Sequence, residues 1–206
     1  MKVRLTRRES QEATRGRLID AAARSFIRRG FDASSVERIA EGAGFSRGAF
    51  YSNFRSKDEL FIAVLRVKWQ EVEGALDEIV RREKDPAKRL HAILEWYVNQ
   101  DVNRGWMILE TEFTLRACRN RAARARMEEF NRQRVARYSA LVATYFAEIG
   151  ARPVARPETI AMSLFAAAKG LAELALIQAG GSNKKLYAVC RDLVFKQLVL
   201  AAEEHR

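Results

Sequence analysis

The 206-residue chain carries a short run of hydrogen-bonding side chains between Ser46 and Asn53. Arg47 is suited to guanine, because a guanidinium can donate two hydrogen bonds to the O6 and N7 atoms in the major groove. Gly48 removes a side chain where a base or its methyl group comes close, and Tyr51 offers a hydroxyl and a flat ring face. We therefore expect this run to contact double-stranded DNA.

Backbone phosphates need different groups. Ser35, Ser46 and Ser56 each start a predicted helix, and the free N–H groups at a helix N-terminus bind anions. Lys57 falls in the first turn after Ser56, where a cation opposes the helix dipole. That placement makes sense if a phosphate shares the site.

Two short helices joined by the turn Gly42-Ala43-Gly44 are predicted to position these groups. The first begins at Ser34, which fits a capping box with Glu37, or equally well at Ser35. The second covers residues 46–53 and turns three apolar side chains inward: Ala49, Phe50 and Phe54. This pattern predicts a helix-turn-helix, in which the second helix enters the major groove.

The helix-turn-helix is preceded by a predicted amphipathic helix over residues 10–29, which Gly30 ends. A basic N-terminal arm either trails into the minor groove or is a disordered tail, and its cations are Lys2, Arg4, Arg7, Arg8, Arg15 and Arg17.

The rest of the chain is predicted to be helical, since it has only three prolines and is rich in helix formers. A long helix runs from Ser56 to about Val80, and others cover residues 90–102, 106–117, 121–149, 158–179 and 183–204. We predict an all-α fold with a three-helix DNA-binding domain over residues 1–58. A larger helical bundle for effector binding and dimerisation would occupy residues 59–206.

Composition narrows the function further. The net charge of +11 favours a polyanionic partner. Only two histidines occur, and we find no Ser-His-Asp grouping, metal-ligand spacing or phosphate loop, so we expect no catalytic residue, metal or cofactor. We expect no membrane span, because no 18-residue apolar run occurs, and no signal peptide, because the first residues turn polar at once. Two buried free thiols, Cys118 and Cys190, are expected in a reducing cytoplasm.

One run of residues resembles the DNA-binding domain of tetracycline-repressor (TetR) family regulators. It reads Gly30-Phe31-x-x-Ser34-Ser35-Val36-x-x-Ile39-Ala40-x-x-Ala43-Gly44-Phe45-Ser46-x-Gly48-x-Phe50-Tyr51-x-Asn53-Phe54-x-x-Lys57-x-x-Leu60. The resemblance implies that Arg47 and Gly48 meet bases and that Ser35 and Lys57 meet phosphates. Tyr51 would contact a phosphate or a base edge. Two positions depart from the family pattern: Phe50 replaces a leucine, and Asn53 replaces a histidine. We expect Asn53 to bond a phosphate still, although it carries no charge that can titrate.

The resemblance also implies a small-molecule effector pocket in the bundle. Its candidate residues are mostly aromatic, with one arginine that would favour an anionic effector: Trp69, Trp96, Trp106, Phe113, Phe130, Arg134 and Phe165. The alternative for each is a place in the core.

Two apolar stripes near the C-terminus predict a homodimer face, with burial inside the monomer as the alternative. Their residues are Leu164, Ala168, Leu171, Ala175, Val189, Leu193 and Val194. Together these features predict a homodimeric, effector-responsive repressor of a palindromic operator. The alternatives are an activator or a non-specific DNA-binding protein of the same fold.

Overall fold

The computed structural model describes residues 6–99 and 104–177, together with the single positions Val189 and Leu193. These residues contain eight α-helices and no strand, which confirms the all-α prediction. The helices are α1 (Arg7–Arg29), α2 (Val36–Gly42), α3 (Arg47–Tyr51), α4 (Lys57–Arg82), α5 (Pro86–Asn99), α6 (Arg104–Arg119), α7 (Arg121–Ile149) and α8 (Pro157–Ile177). None of them is long and apolar enough to cross a membrane.

Helix α1 begins at Arg7, three residues earlier than the apolar pattern predicted. The reason is a capping box: the Glu9 N–H donates to Thr6 Oγ1 at 3.2 Å, and the Thr6 N–H donates to the Glu9 carboxylate at 2.7 Å. Arg7 and Arg8 of the predicted arm therefore belong to the helix. Lys2 and Arg4 lie outside the described residues.

The sequence allows α2 to start at either Ser34 or Ser35, and the structure selects Ser35. Its hydroxyl accepts a hydrogen bond from the Arg38 N–H at 3.2 Å. Ser34 is instead fully buried, where its hydroxyl donates to the Gly30 carbonyl and accepts from the Ser25 hydroxyl, each at 2.9 Å. Ser34 thus ties the connector before α2 to the end of α1.

The chain divides into two compact units. One contains Met1–Glu71 and Ile108–Phe130, and the other contains Val72–Met107 and Asn131–Arg206. The sequence predicts two consecutive domains with one boundary at residue 58. The first unit of the structure combines an N-terminal segment with a later segment that belongs to α6 and α7.

Four phenylalanines form the centre of the first unit, and we call them the aromatic cluster: Phe26, Phe31, Phe61 and Phe113. Each is at most 2% exposed. The Phe61 and Phe113 rings stack with centroids 4.2 Å apart, and Phe31 meets Phe113 edge-on at 5.4 Å. Burial of four aromatic rings fixes α1, α4, α6 and the α1–α2 connector against one another.

The second unit has its own core around Tyr145, Phe146 and Ile160, against which Leu90 and Leu164 pack. Burial raises the pKa of the Tyr145 phenol above its ordinary value. Cys118, which was predicted to be buried, is exposed on α6. Cys190 lies outside the described residues.

Candidate nucleic-acid interface

Helix α3 has one buried and one exposed side. Its start is capped by Ser46, whose hydroxyl accepts from the Ala49 N–H at 3.2 Å. Phe50 is fully buried, and Phe54, just beyond the helix, is 1% exposed. These two rings pack 5.9 Å apart and fix the orientation of the helix.

The exposed side of α3 presents Arg47, Gly48 and Tyr51. A methyl group added at Gly48 would meet only the Ser46 hydroxyl, at 3.6 Å, so the surface there is open to close approach. The Arg47 guanidinium lies 5.5 Å from the centre of the Tyr51 ring. It also pairs with Glu37 of α2, with 3.0 Å between Nη1 and Oε1. The carboxylate partner was not found from the sequence.

Asn53 is half-buried and turned towards the protein. Its side-chain Nδ2 donates to the Ala49 carbonyl at 2.8 Å. Its own carbonyl accepts a hydrogen bond from Arg15 Nη1 at 2.7 Å, and the Arg15 guanidinium lies 4.0 Å above the Phe54 ring. Asn53 and Arg15 together therefore fix the end of α3 against α1.

The sequence analysis counts Arg15 and Arg17 among the cations of the basic arm, although they also fall in the helix predicted over residues 10–29, and the structure places them in that helix. Both lie inside α1. Arg17 stacks 4.7 Å above the Phe45 ring in the turn that leads into α3. Arg17 therefore contacts a residue just before α3, and Arg15 contacts residues just after it.

Lys57, expected at a phosphate, directs its ammonium to the connector between α1 and α2. Nζ donates to the carbonyls of Phe31 at 2.8 Å and Asp32 at 3.3 Å, and it lies 4.3 Å from the centre of the Phe31 ring. Burial lowers the pKa of the Lys57 ammonium, although the nearby Asp32 carboxylate opposes this effect. Two of its three N–H groups thus have protein acceptors.

Helix α6 holds the same connector from another side. The Glu112 carboxylate accepts a hydrogen bond from the Phe31 N–H at 3.0 Å. Arg116 donates to Asp58 through Nε at 2.9 Å and Nη2 at 3.4 Å, and these bonds raise the pKa of Arg116 although burial opposes the shift. We call Lys57, Asp58, Glu112 and Arg116 the connector clamp.

Two family models match the chain. One, described as bacterial regulatory proteins of the tetR family, matches residues 18–64 and so includes α2 and α3. The other, described as the C-terminal part of BetI-type transcriptional repressors, matches residues 86–199, more than half of the chain. The chain belongs to the TetR family of transcriptional regulators. The resemblance found in the sequence is therefore confirmed.

Relatives of this TetR-family chain carry regulator names. The HTH-type transcriptional activator FasR of Mycolicibacterium smegmatis is 34% identical over 85 residues, which are 41% of this chain and 39% of that protein. The uncharacterized HTH-type transcriptional regulator YwcC of Bacillus subtilis is 33% identical over 122 residues, 53% of this chain and 55% of that protein. Both matches span less than two thirds of the relative's length.

A solved structure shares the fold over most of this TetR-family chain. It is the transcriptional regulator FadR from Bacillus subtilis in complex with stearoyl-CoA. The TM-score is 0.71 at 16% identity, with 87% of this chain and 97% of that chain covered.

The residues predicted for the effector pocket do not fall in one unit of this TetR-family chain. Trp69, Phe113 and Phe130 belong to the first unit, where Phe113 is part of the aromatic cluster. The other four belong to the second unit: Trp96, Trp106, Arg134 and Phe165. There the buried Arg134 guanidinium lies 4.4 Å from the centre of the Phe165 ring.

The residues predicted for the dimer face differ in exposure. Leu164 packs on the core of the second unit, whereas Ala168, Val189 and Leu193 are exposed. Leu171 and Ala175 lie in α8 with side chains that are not described, and Val194 lies outside the described residues. Two large apolar side chains of α8 that the sequence did not single out are also exposed: Met162 and Leu174.

Proposed function

We propose that this regulator binds a palindromic operator as a homodimer, represses transcription, and is released by a small-molecule effector. The observation that carries the DNA-binding part is the two-sided helix α3. Phe50 holds it to the core, while Arg47, Gly48 and Tyr51 remain on the open side. A recognition helix needs one buried and one exposed side, because it must pack against its own domain and still approach base edges.

The remaining residues of the interface take supporting roles in this proposal. Ser35 and Ser46 are exposed at the starts of α2 and α3, where their side chains and neighbouring N–H groups can meet phosphate. Lys57 keeps one N–H for a phosphate while its other two hold the connector. Asn53 contributes by fixing the end of α3.

The homodimer part is supported by apolar side chains left in solvent. Met162, Leu174, Val189 and Leu193 are each more than half exposed in the single chain. Burying these side chains in a homodimer would remove their apolar surface from water. Leu193→Asp is expected to convert a dimer into a monomer when the molar mass is measured by light scattering, whereas an unchanged mass would contradict the assignment.

The effector part is supported by Arg134 and Phe165 in the second unit. A buried guanidinium stacked on an aromatic ring favours an anionic ligand with an apolar body. The similar FadR structure holds stearoyl-CoA, which is such a molecule. Stearoyl-CoA is therefore the first probe: it should release the protein from DNA, and Arg134→Met should weaken that release.

The DNA-binding proposal is tested by fluorescence anisotropy with two duplexes, the promoter region of the protein's own gene and a scrambled version of equal length. The wild-type protein should prefer the promoter duplex. Arg47→Ala should lose most of this preference, by about five-fold or more, because one bidentate guanine contact contributes discrimination of that order.

Arg119→Ala, which removes the same charge from an exposed site on α6, should keep the preference. If Arg47→Ala folds normally and retains full preference, the base-reading role is wrong. A reporter gene under the same promoter then tells repression from the activation that the name of FasR records.

A further inference from the structure

Glu37 lies on the side of the helix-turn-helix that is proposed to face DNA. It occupies the first turn of α2, and its side chain is 55% exposed. A carboxylate beside a polyanion is electrostatically unfavourable unless a cation pairs with it. The group beside it is Arg47, whose Nη1 lies 3.0 Å from the Glu37 carboxylate.

This contact restricts the direction of the Arg47 side chain. A guanidinium has five N–H donors in a rigid planar fork. The Glu37 carboxylate forms an ion pair with Nη1, and the Tyr51 ring lies 5.5 Å from the guanidinium carbon. A long arginine that already has two neighbours has fewer conformations to lose when it meets a base.

The pair also changes the contribution of Arg47 to DNA affinity. A free arginine binds any phosphate and releases counterions, so it strengthens binding to every sequence alike. An arginine paired with a carboxylate forms a locally neutral unit. Its N–H donors bind a base that has two well-placed acceptors more favourably than they bind a phosphate.

We propose that Glu37 is a specificity-determining residue of this regulator. Glu37 orients the Arg47 side chain towards a base and keeps it from binding the phosphate backbone. This inference rests on the proposed function, since it needs α3 to face DNA. Glu37 itself acts through Arg47 and is a positioning residue.

The test compares Glu37→Gln with Glu41→Gln. Glu41 is an exposed carboxylate one turn further along α2, so both variants remove one negative charge from the same helix. Affinity for the promoter duplex and for the scrambled duplex is measured by anisotropy over a series of salt concentrations.

Glu37→Gln should bind the scrambled duplex more tightly and lower the promoter preference by about five-fold. Its plot of log affinity against log salt on the scrambled duplex should become steeper by about 0.9, as expected for one more phosphate contact. Glu41→Gln should strengthen binding to both duplexes by the same factor and keep the preference.

A third protein shows whether Glu37 acts through Arg47. In an Arg47→Ala background, Glu37→Gln should no longer change the preference. The inference is overturned if Glu37→Gln keeps the wild-type preference and slope, or if its effect persists without Arg47. A wild-type protein that does not prefer its promoter at all would instead contradict the proposed function.

Discussion

Arg116→Met is expected to destabilise the first unit, because it removes the central cation of the connector clamp while leaving a side chain of similar length. Arg116 binds Asp58 through two nitrogens, and its guanidinium also lies 5.1 Å from the centre of the Phe31 ring. Without the guanidinium, the Asp58 carboxylate loses both hydrogen bonds while its side chain stays 88% buried.

The expected loss follows from the exposure of the two partners. Removing one partner of a fully buried pair costs about 3–5 kcal/mol, whereas an exposed pair contributes about 0–1 kcal/mol. The Asp58 side chain is 12% exposed and the Arg116 side chain 36%, so this pair is intermediate. We expect a loss of about 2 kcal/mol in the free energy of unfolding, or a decrease of about 4–8 °C in Tm for a chain of this size.

The measurement is urea denaturation followed by circular dichroism, with Arg119→Met as the control. Arg119 is exposed in the same last turn of α6, so its variant removes the same charge and should change the stability by less than about 0.5 kcal/mol. A double-mutant cycle with Asp58→Asn isolates the coupling between the two side chains. If Arg116→Met is no less stable than Arg119→Met, the clamp does not contribute to stability as argued.

Three further predictions use the same denaturation assay. Gly30→Ala should cost about 1–3 kcal/mol, because Gly30 has φ +78° and ψ 170° and an added methyl would lie 3.1 Å from the Glu112 carboxylate; an unchanged urea midpoint would refute this. Phe113→Ala should cost about 3–5 kcal/mol through the cavity left against Phe61, and a loss below about 1 kcal/mol would show that the cluster collapses around it. The folded state keeps the Tyr145 proton where the unfolded chain loses it, so the stability contributed by this group should fall as the pH rises above 10.0; Tyr145→Phe should remove that component of the pH dependence.

The sequence predicted the helix-turn-helix well because its signals are local. Ser46 and Gly44 act within one turn of their own positions, as a cap and as a residue with φ +77°. The apolar spacing of Phe50 and Phe54 is equally local. Helix α7 was predicted with its observed ends, since Arg152 to Pro157 contains two prolines and interrupts the pattern clearly.

The connector clamp could not be predicted in the same way, because its partners are distant in the sequence. Arg116 and Asp58 are separated by 58 positions, and Glu112 and Phe31 by 81. Periodicity assigns such residues to a helix but does not pair them across helices. Thr6 with Glu9 is a different case, since this capping box is local and its spacing is visible in the sequence.

Three cations near α3 have protein partners in the folded chain, and this bears on how the regulator would distinguish one DNA sequence from another. Arg47 pairs with Glu37, Lys57 donates to carbonyls of the connector, and Arg15 donates to Asn53. Long-range attraction to DNA does not need these groups, because the whole chain carries a net charge of +11. Removing an arginine far from α3 should therefore weaken binding to every duplex alike. Removing the protein partner of a cation beside α3 should instead tighten binding to DNA in general and reduce the preference for one sequence over another.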